Sequence, residues 1–144
     1  MEQNIVNPEN IIEIPLPTYT PEEQALNREA WFEALESGEY EQNDEKLRKA
    51  SFYEGYSYCC LGVACEISKL GEWTNNNVYR VGDESNDVWL VSAVQNWLGL
   101  VSDTGEPSDY GYDGAADSLI QLNDSGWTFE QIAHQLRENE FGYY

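Results

Sequence analysis

The sequence reads as a single α+β domain of about five short helices with a small antiparallel sheet or hairpin. Three observations lead there. Apolar residues at three- and four-residue spacing alternate with short β-branched and aromatic runs. Glycines fall where several of the helical patterns end. A hydrophobic content of 41% and an aromatic content of 13% over 144 residues supply a core without disulfides or metal.

Residues 1–19 are expected to form an extended arm, because Pro8, Pro15 and Pro17 interrupt the apolar residues Ile11, Ile12, Ile14 and Leu16. The globular domain is expected over 20–144. Thr20 reads as an N-cap, with Pro21 in the first helical position and Glu23 completing a capping box. The apolar face of this helix is read from Leu26, Ala30 and Ala34 with Trp31 and Leu35 beside them, and the helix should end near Ser37, before Gly38.

Between Glu39 and Tyr58 the helical period is lost and Phe52, Tyr53, Tyr56 and Tyr58 accumulate around Gly55, the pattern of a loop and then a short strand or hairpin. Cys60 to Leu70 is apolar on nearly every side and is expected to be the most buried helix, closed by Gly71. Ile67 is expected at its centre. Val78–Val81 and Val88–Val91 read as two strands of a hairpin joined through Gly82–Asp87.

Ser92 and Gln95 suggest a second capping box, before a short helix with Val94, Trp97 and Leu98 on one side and Gly99 at its end. Ala115, Leu119 and Leu122 suggest another helix. Thr128 and Gln131 cap a last one, whose Phe129, Ile132, Ala133 and Leu136 share a face.

Four segments occur in order: WFEALESGEYEQ at Trp31–Gln42, YCCLGVACEI at Tyr58–Ile67, WLVSAVQNWLGL at Trp89–Leu100 and LNDSGWTFEQIA at Leu122–Ala133. Together they resemble a group of small accessory proteins encoded by tailed bacteriophages. The resemblance implies action in the cytoplasm of an infected bacterium and carries no catalytic residues across. Within the second segment, Gly62 between large apolar residues reads as a point of close approach in a buried helix.

Seven Lys plus Arg face 27 Asp plus Glu, a net charge of −20. Such a chain is a poor binder of phosphate backbones or anionic membranes, so neither nucleic acid nor membrane is expected as a direct partner. Three cysteines, two of them adjacent, fit a reducing compartment rather than a disulfide framework. The N-terminal residues lack the basic and apolar pattern of a secretory leader, and no apolar run approaches the length of a membrane span.

Catalytic and metal chemistry find little support. Cys59, Cys60 and Cys65 form no Cys-x-x-Cys pair, and His134, the only histidine, lies far along the chain. Cys60 and Cys65 read as small core residues, His134 as a surface residue of a helix. The loop from Asp109 to Ile120 has the spacing of a calcium loop in part, but Gly111 and Ile120 occupy two ligand positions. No catalytic residue, metal or other cofactor is therefore assigned.

Two binding readings remain. From Val81 to Leu136 the chain holds no Lys or Arg and ten carboxylates. Asp83, Glu84, Asp87, Asp103, Glu106, Asp109, Asp113 and Asp117 are the candidates for an acidic face that imitates phosphates before a host protein with a basic surface. Inhibition or redirection of that protein is the leading expectation. The alternative is a pocket for a nucleotide-derived ligand, built from Lys46, Arg48, Tyr53, Tyr56, Tyr58 and Arg80.

Overall fold

A computed structural model describes residues 18–109 and 117–144. Most of the expected N-terminal arm, Asp113 and the glycines of the calcium-like loop lie outside these residues. The first helix, α1, spans Pro21–Glu36, and its capping box forms as the sequence suggests: Glu23 N donates to Thr20 Oγ1 at 3.1 Å and Thr20 N to Glu23 Oε1 at 2.8 Å. Glu41–Gln42 (β1), Arg48–Ala50 (β2) and Tyr56–Tyr58 (β3) follow, then helix α2 at Cys60–Ser68. β3 is the central strand of this sheet, antiparallel to β2 and parallel to β1.

A second sheet, wholly antiparallel, has the order β4 (Glu72–Trp73), β5 (Tyr79–Val81), β6 (Glu84–Asn86). Three more helices follow among the described residues: α3 at Ser92–Leu98, α4 at Leu119–Asp124 and α5 at Phe129–Glu138. The result is the α+β class expected, with two small sheets in place of one. The C-terminal segment is part of the body, since Val101 N donates to Tyr143 O, Ser108 N to Gly142 O and Asp109 N to Phe141 O.

α2 is the centre of the core. Cys60, Leu61, Val63, Ala64 and Cys65 are all fully buried, and the indole of Trp31 on α1 donates to the Cys60 carbonyl at 2.9 Å. Gly62 is the close approach foreseen: a Cβ there would land on the backbone carbonyl of the buried Leu47. Ile67, by contrast, is only half-buried at the edge of the core. Nor does Gly71 end the helix. Lys69 does so in the left-handed region at φ 56°, and Gly71 is needed because a side chain there would strike the Arg80 carbonyl across the β4–β5 pairing.

Three further expectations fail for identifiable reasons. Leu26 is 72% exposed, and the inward face of α1 carries Trp31, Phe32 and Leu35 instead. The polar row beside them is turned inward by need. Gln24 Nε2, Asn27 Nδ2 and Arg28 Nη1 donate to the carbonyls of Asn96, Trp97 and Leu98, supplying the donors that the C-terminus of α3 lacks.

The strand expected at Val88–Val91 is absent. Asn86 Oδ1 accepts from both Val88 N and Trp89 N, which ends β6 in a side-chain turn, and β6 itself pairs with β5 through the tight connection Gly82–Asp83. Leu90 and Val91 are buried loop residues lining the core. The capping box at Ser92 does not form either. Val91 occupies the cap position, Ser92 Oγ donates to Glu84 Oε2 at 3.1 Å, and Gln95 Nε2 donates to the Leu100 carbonyl.

Candidate functional site

The carboxylates predicted to share a face are divided by the fold into three places. Asp83 and Glu84 stand at the β5–β6 turn, and Glu84 is tied to the first residue of α3 by the Ser92 hydroxyl. Two residues before Ser92, Leu90 N donates to the Asp103 carbonyl at 2.9 Å, and Ser102 Oγ accepts from Glu106 N at 2.6 Å. Glu84, Asp103 and Glu106 therefore lie on adjoining segments. Among the described residues no Lys or Arg pairs with Asp83, Glu84, Asp103 or Glu106.

Asp109 and Asp117 belong to a second place, along the C-terminal segment. Asp109 N bonds the Phe141 carbonyl, and the Tyr143 hydroxyl donates to the Asp117 carbonyl at 2.8 Å. Asp87 belongs to a third. Its carboxylate pairs with Lys46 Nζ at 2.8 Å and its carbonyl accepts from Leu47 N, so it faces the basic segment rather than the acidic one.

Two apolar residues that sequence patterning did not single out accompany the first group. Trp89 is 43% exposed and Val101 51% exposed. Trp89 is held there by the Asn86 turn, next to Leu90 and its bond to Asp103, while Val101 precedes Ser102 and Asp103 directly. The asparagine before Val88-Trp89 is the one local signal that could have placed Trp89 outside a strand. An exposed aromatic ring on a segment bonded to carboxylate-bearing ones can anchor a partner protein through apolar burial while the charges select its sign.

The residues of the alternative pocket are also separated. Lys46 and Arg48 line one cavity of about 340 Å³ with Lys49, Asn76, Asn77 and Asp87. Tyr56 lies against the Arg48 guanidinium, 3.7 Å from its carbon to the ring centroid. Tyr58 is buried behind it, where burial and then the charge of Glu66 raise its hydroxyl pKa. Tyr53 projects from the β2–β3 turn at 90% exposure, and Arg80 lines a different groove with Lys69 and Glu72.

The cysteines have the character of core residues. Burial pushes the Cys59 thiol up to about 11 and raises Cys60 and Cys65 well above the ordinary range, so none is held as a thiolate. His134 is exposed on α5 beside Trp127 and Glu130. Among the described residues no group of three or more His, Cys, Asp or Glu side chains is arranged to hold a metal ion, and no helix is long and apolar enough to cross a membrane.

Asn123 is a buried junction. Its Oδ1 accepts from Cys60 N at 3.1 Å and Gln42 Nε2 at 2.9 Å, and its Nδ2 donates to the Asn43 carbonyl at 2.8 Å. One side chain thereby joins α4, the start of α2 and the end of β1. This fixes the sheet whose strand β2 carries Arg48.

Comparison with known proteins yields no match among curated proteins and none among solved structures. The model of one family does match, over residues 24–140, and its description is domain of unknown function DUF8296. Since that span takes in all of these helices and strands except the first turn of α1, the chain belongs to the DUF8296 family.

Proposed function

We propose that this protein is a non-enzymatic binding protein that presents an acidic face to a partner with a basic surface of the kind that grips nucleic acid, and so inhibits or redirects it. The observation that carries the reading is the exposed Trp89 on a segment hydrogen-bonded to those of Glu84 and Asp103, where Asp83, Glu84, Asp103 and Glu106 form no ion pair with Lys or Arg among the described residues. Clustered negative charge steers a cationic surface toward the face and rejects anionic competitors. Trp89 and Val101 add the apolar area that converts encounter into residence.

The resemblance to phage-encoded accessory proteins favours a bacterial host protein as the partner and the bacterial cytoplasm as the place. The buried, protonated cysteines agree with a reduced environment and argue against thiol catalysis.

Capture experiments test the reading. Immobilised wild-type protein is compared with Trp89→Ala and with a triple variant, Glu84→Gln, Asp103→Asn and Glu106→Gln, in bacterial lysate at low ionic strength. A protein retained by the wild type, lost on both variants and released by salt is the expected result. Salt releases it because the screening length falls from about 10 Å at 0.1 M to about 3 Å at 1 M. Once purified, that protein should lose nucleic-acid binding when the wild type is added. Identical capture by wild type and variants overturns the proposal.

A further inference from the structure

We infer that the cavity between β2 and the β4–β5 loop is a binding site for a small phosphate-bearing ligand of the mononucleotide class. Only seven residues of the chain are cationic, and three of them, Lys46, Arg48 and Lys49, line this one cavity. With Asp87 as the only carboxylate in the lining, the cavity is locally positive on a protein of net charge −20. Its volume, about 340 Å³, is at the lower end of the range for small-molecule sites.

Arg48 is held ready rather than left on the surface. Its guanidinium lies between the rings of Tyr56 at 3.7 Å and Trp73 at 4.6 Å, and its Nε donates to Asn77 Oδ1 at 2.7 Å. Asn77 adopts φ 62°, a left-handed backbone that Asn tolerates at some cost, and is kept there by its own N–H bond to the Thr74 carbonyl. Among the described residues no carboxylate pairs with Arg48. A planar cation with five donors, fixed in orientation and lacking a counter-charge, is the group best suited to a phosphate oxyanion.

The two lysines supply exchangeable charge. Lys46 pairs with Asp87 at 2.8 Å and Lys49 with Asp44 at 3.3 Å, both in exposed ion pairs that are weak and readily traded for a bound anion. The amides of Asn76 and Asn77 offer partners for sugar hydroxyls and ring edges. Tyr56, 47% exposed beside the Arg48 guanidinium, offers aromatic surface for a planar ring. A ligand of few charges suits the site best, because the surrounding carboxylates oppose multiply charged anions within the screening length.

Titration calorimetry at low ionic strength tests the inference, with 5′-AMP, 5′-GMP, adenosine, ribose 5-phosphate and inorganic phosphate as probes. The nucleotides should bind, inorganic phosphate more weakly, and adenosine not measurably. Arg48→Gln should weaken nucleotide binding about tenfold or more. Lys49→Ala, whose side chain is exposed and whose loss leaves the ring stack intact, should weaken it about fivefold. Asp87→Asn should tighten it by removing the competing carboxylate, while Arg80→Ala in the other groove should leave it unchanged. Absence of nucleotide binding by the wild type overturns the site. So does binding that survives both Arg48→Gln and Lys49→Ala. Equal affinity for nucleotides and inorganic phosphate overturns the assignment of a nucleoside ligand.

Discussion

Gly62→Ala sets two opposed effects against each other and lets magnitude decide. In an exposed helix the change would stabilise by about 1 kcal/mol, because Gly is that much poorer a helix former than Ala. Gly62 lies in the first turn of α2, so at most that gain is available. Against it stands the Leu47 carbonyl, which the new methyl would overlap. Leu47 cannot easily retreat. Its N–H bonds the Asp87 carbonyl at 2.8 Å, its carbonyl accepts from Cys59 N at 3.3 Å, and its side chain is fully buried. Losing or stretching two hydrogen bonds costs about 0.5–1.5 kcal/mol each, and overpacking a close-packed site costs about 1–3 kcal/mol. The net expectation is destabilisation by about 2–4 kcal/mol, read by urea denaturation followed by circular dichroism. At this chain length each kcal/mol corresponds to about 2–4 °C in Tm, so the melt should fall by about 4 °C or more. A variant as stable as the wild type, or more stable, would refute the argument that α2 and the Lys46–Arg48 segment are in backbone contact.

The remaining predictions use the same assays. Leu61→Ala, at a position with 0% exposure, should cost about 2–5 kcal/mol, whereas Ile67→Ala, half-buried, should cost clearly less; the reverse order in urea would contradict the burial of α2. Asn123→Ala strands the Cys60 N–H, leaves the Gln42 amide with only its bond to the Trp127 carbonyl, and should cost about 1–3 kcal/mol, with faster hydrogen exchange at Cys60 as its local signature. Arg137 holds the carboxyls of Glu29 and Glu36 below their ordinary range by hydrogen bonds to both. Carboxyls depressed in the folded state stabilise it above the unfolded pKa of about 4.3, and that contribution fades as pH falls through the carboxylate range. Arg137→Gln should therefore lose stability at neutral pH but little at pH 3. The pairs are exposed, so the difference should stay under about 1 kcal/mol; equal pH profiles for both proteins would refute the coupling.

What the sequence displayed and what it hid divide along the range of the forces involved. The boxes at Thr20 and Thr128 were legible because cap and acceptor lie three residues apart, and no distant group competes for them. Gly62 was legible because a glycine between Leu61 and Val63 in an apolar run has few other uses. Leu26 misled because the inward face of α1 is decided by the unpaired carbonyls of α3, about 70 residues away, which draw Gln24, Asn27 and Arg28 inward. Ser92 misled because Glu84 takes its hydroxyl. The β-prone residues at Val88–Val91 carry a strand's composition, yet a single Asn86 side chain redirects the backbone before a ladder can form.

For the binding residues, composition gave the charge but not its partition. Asp87 and Glu84 are three residues apart, yet one neutralises Lys46 and the other meets Ser92, so two sites of opposite sign adjoin along β6 and the residue that follows it. The placement of the cations argues that this partition is not a by-product of solubility. A surface built only to stay soluble would gain from scattering its seven Lys and Arg residues among the carboxylates, since that relieves self-repulsion. Here they gather at four places instead. Arg28 closes the end of α3 and stacks on Tyr144, and Arg137 bridges α5 to two glutamates of α1 across the Phe32 ring. Three more line the Arg48 cavity, and Lys69 and Arg80 share one groove. No cation at all is present from Val81 to Leu136, the stretch that carries Trp89, Asp103 and Glu106. Apart from Asp87, which Lys46 neutralises, the described carboxylates of that stretch form no ion pair with Lys or Arg; their repulsion costs folding energy, which the two proposed binding surfaces would recover when partners bind.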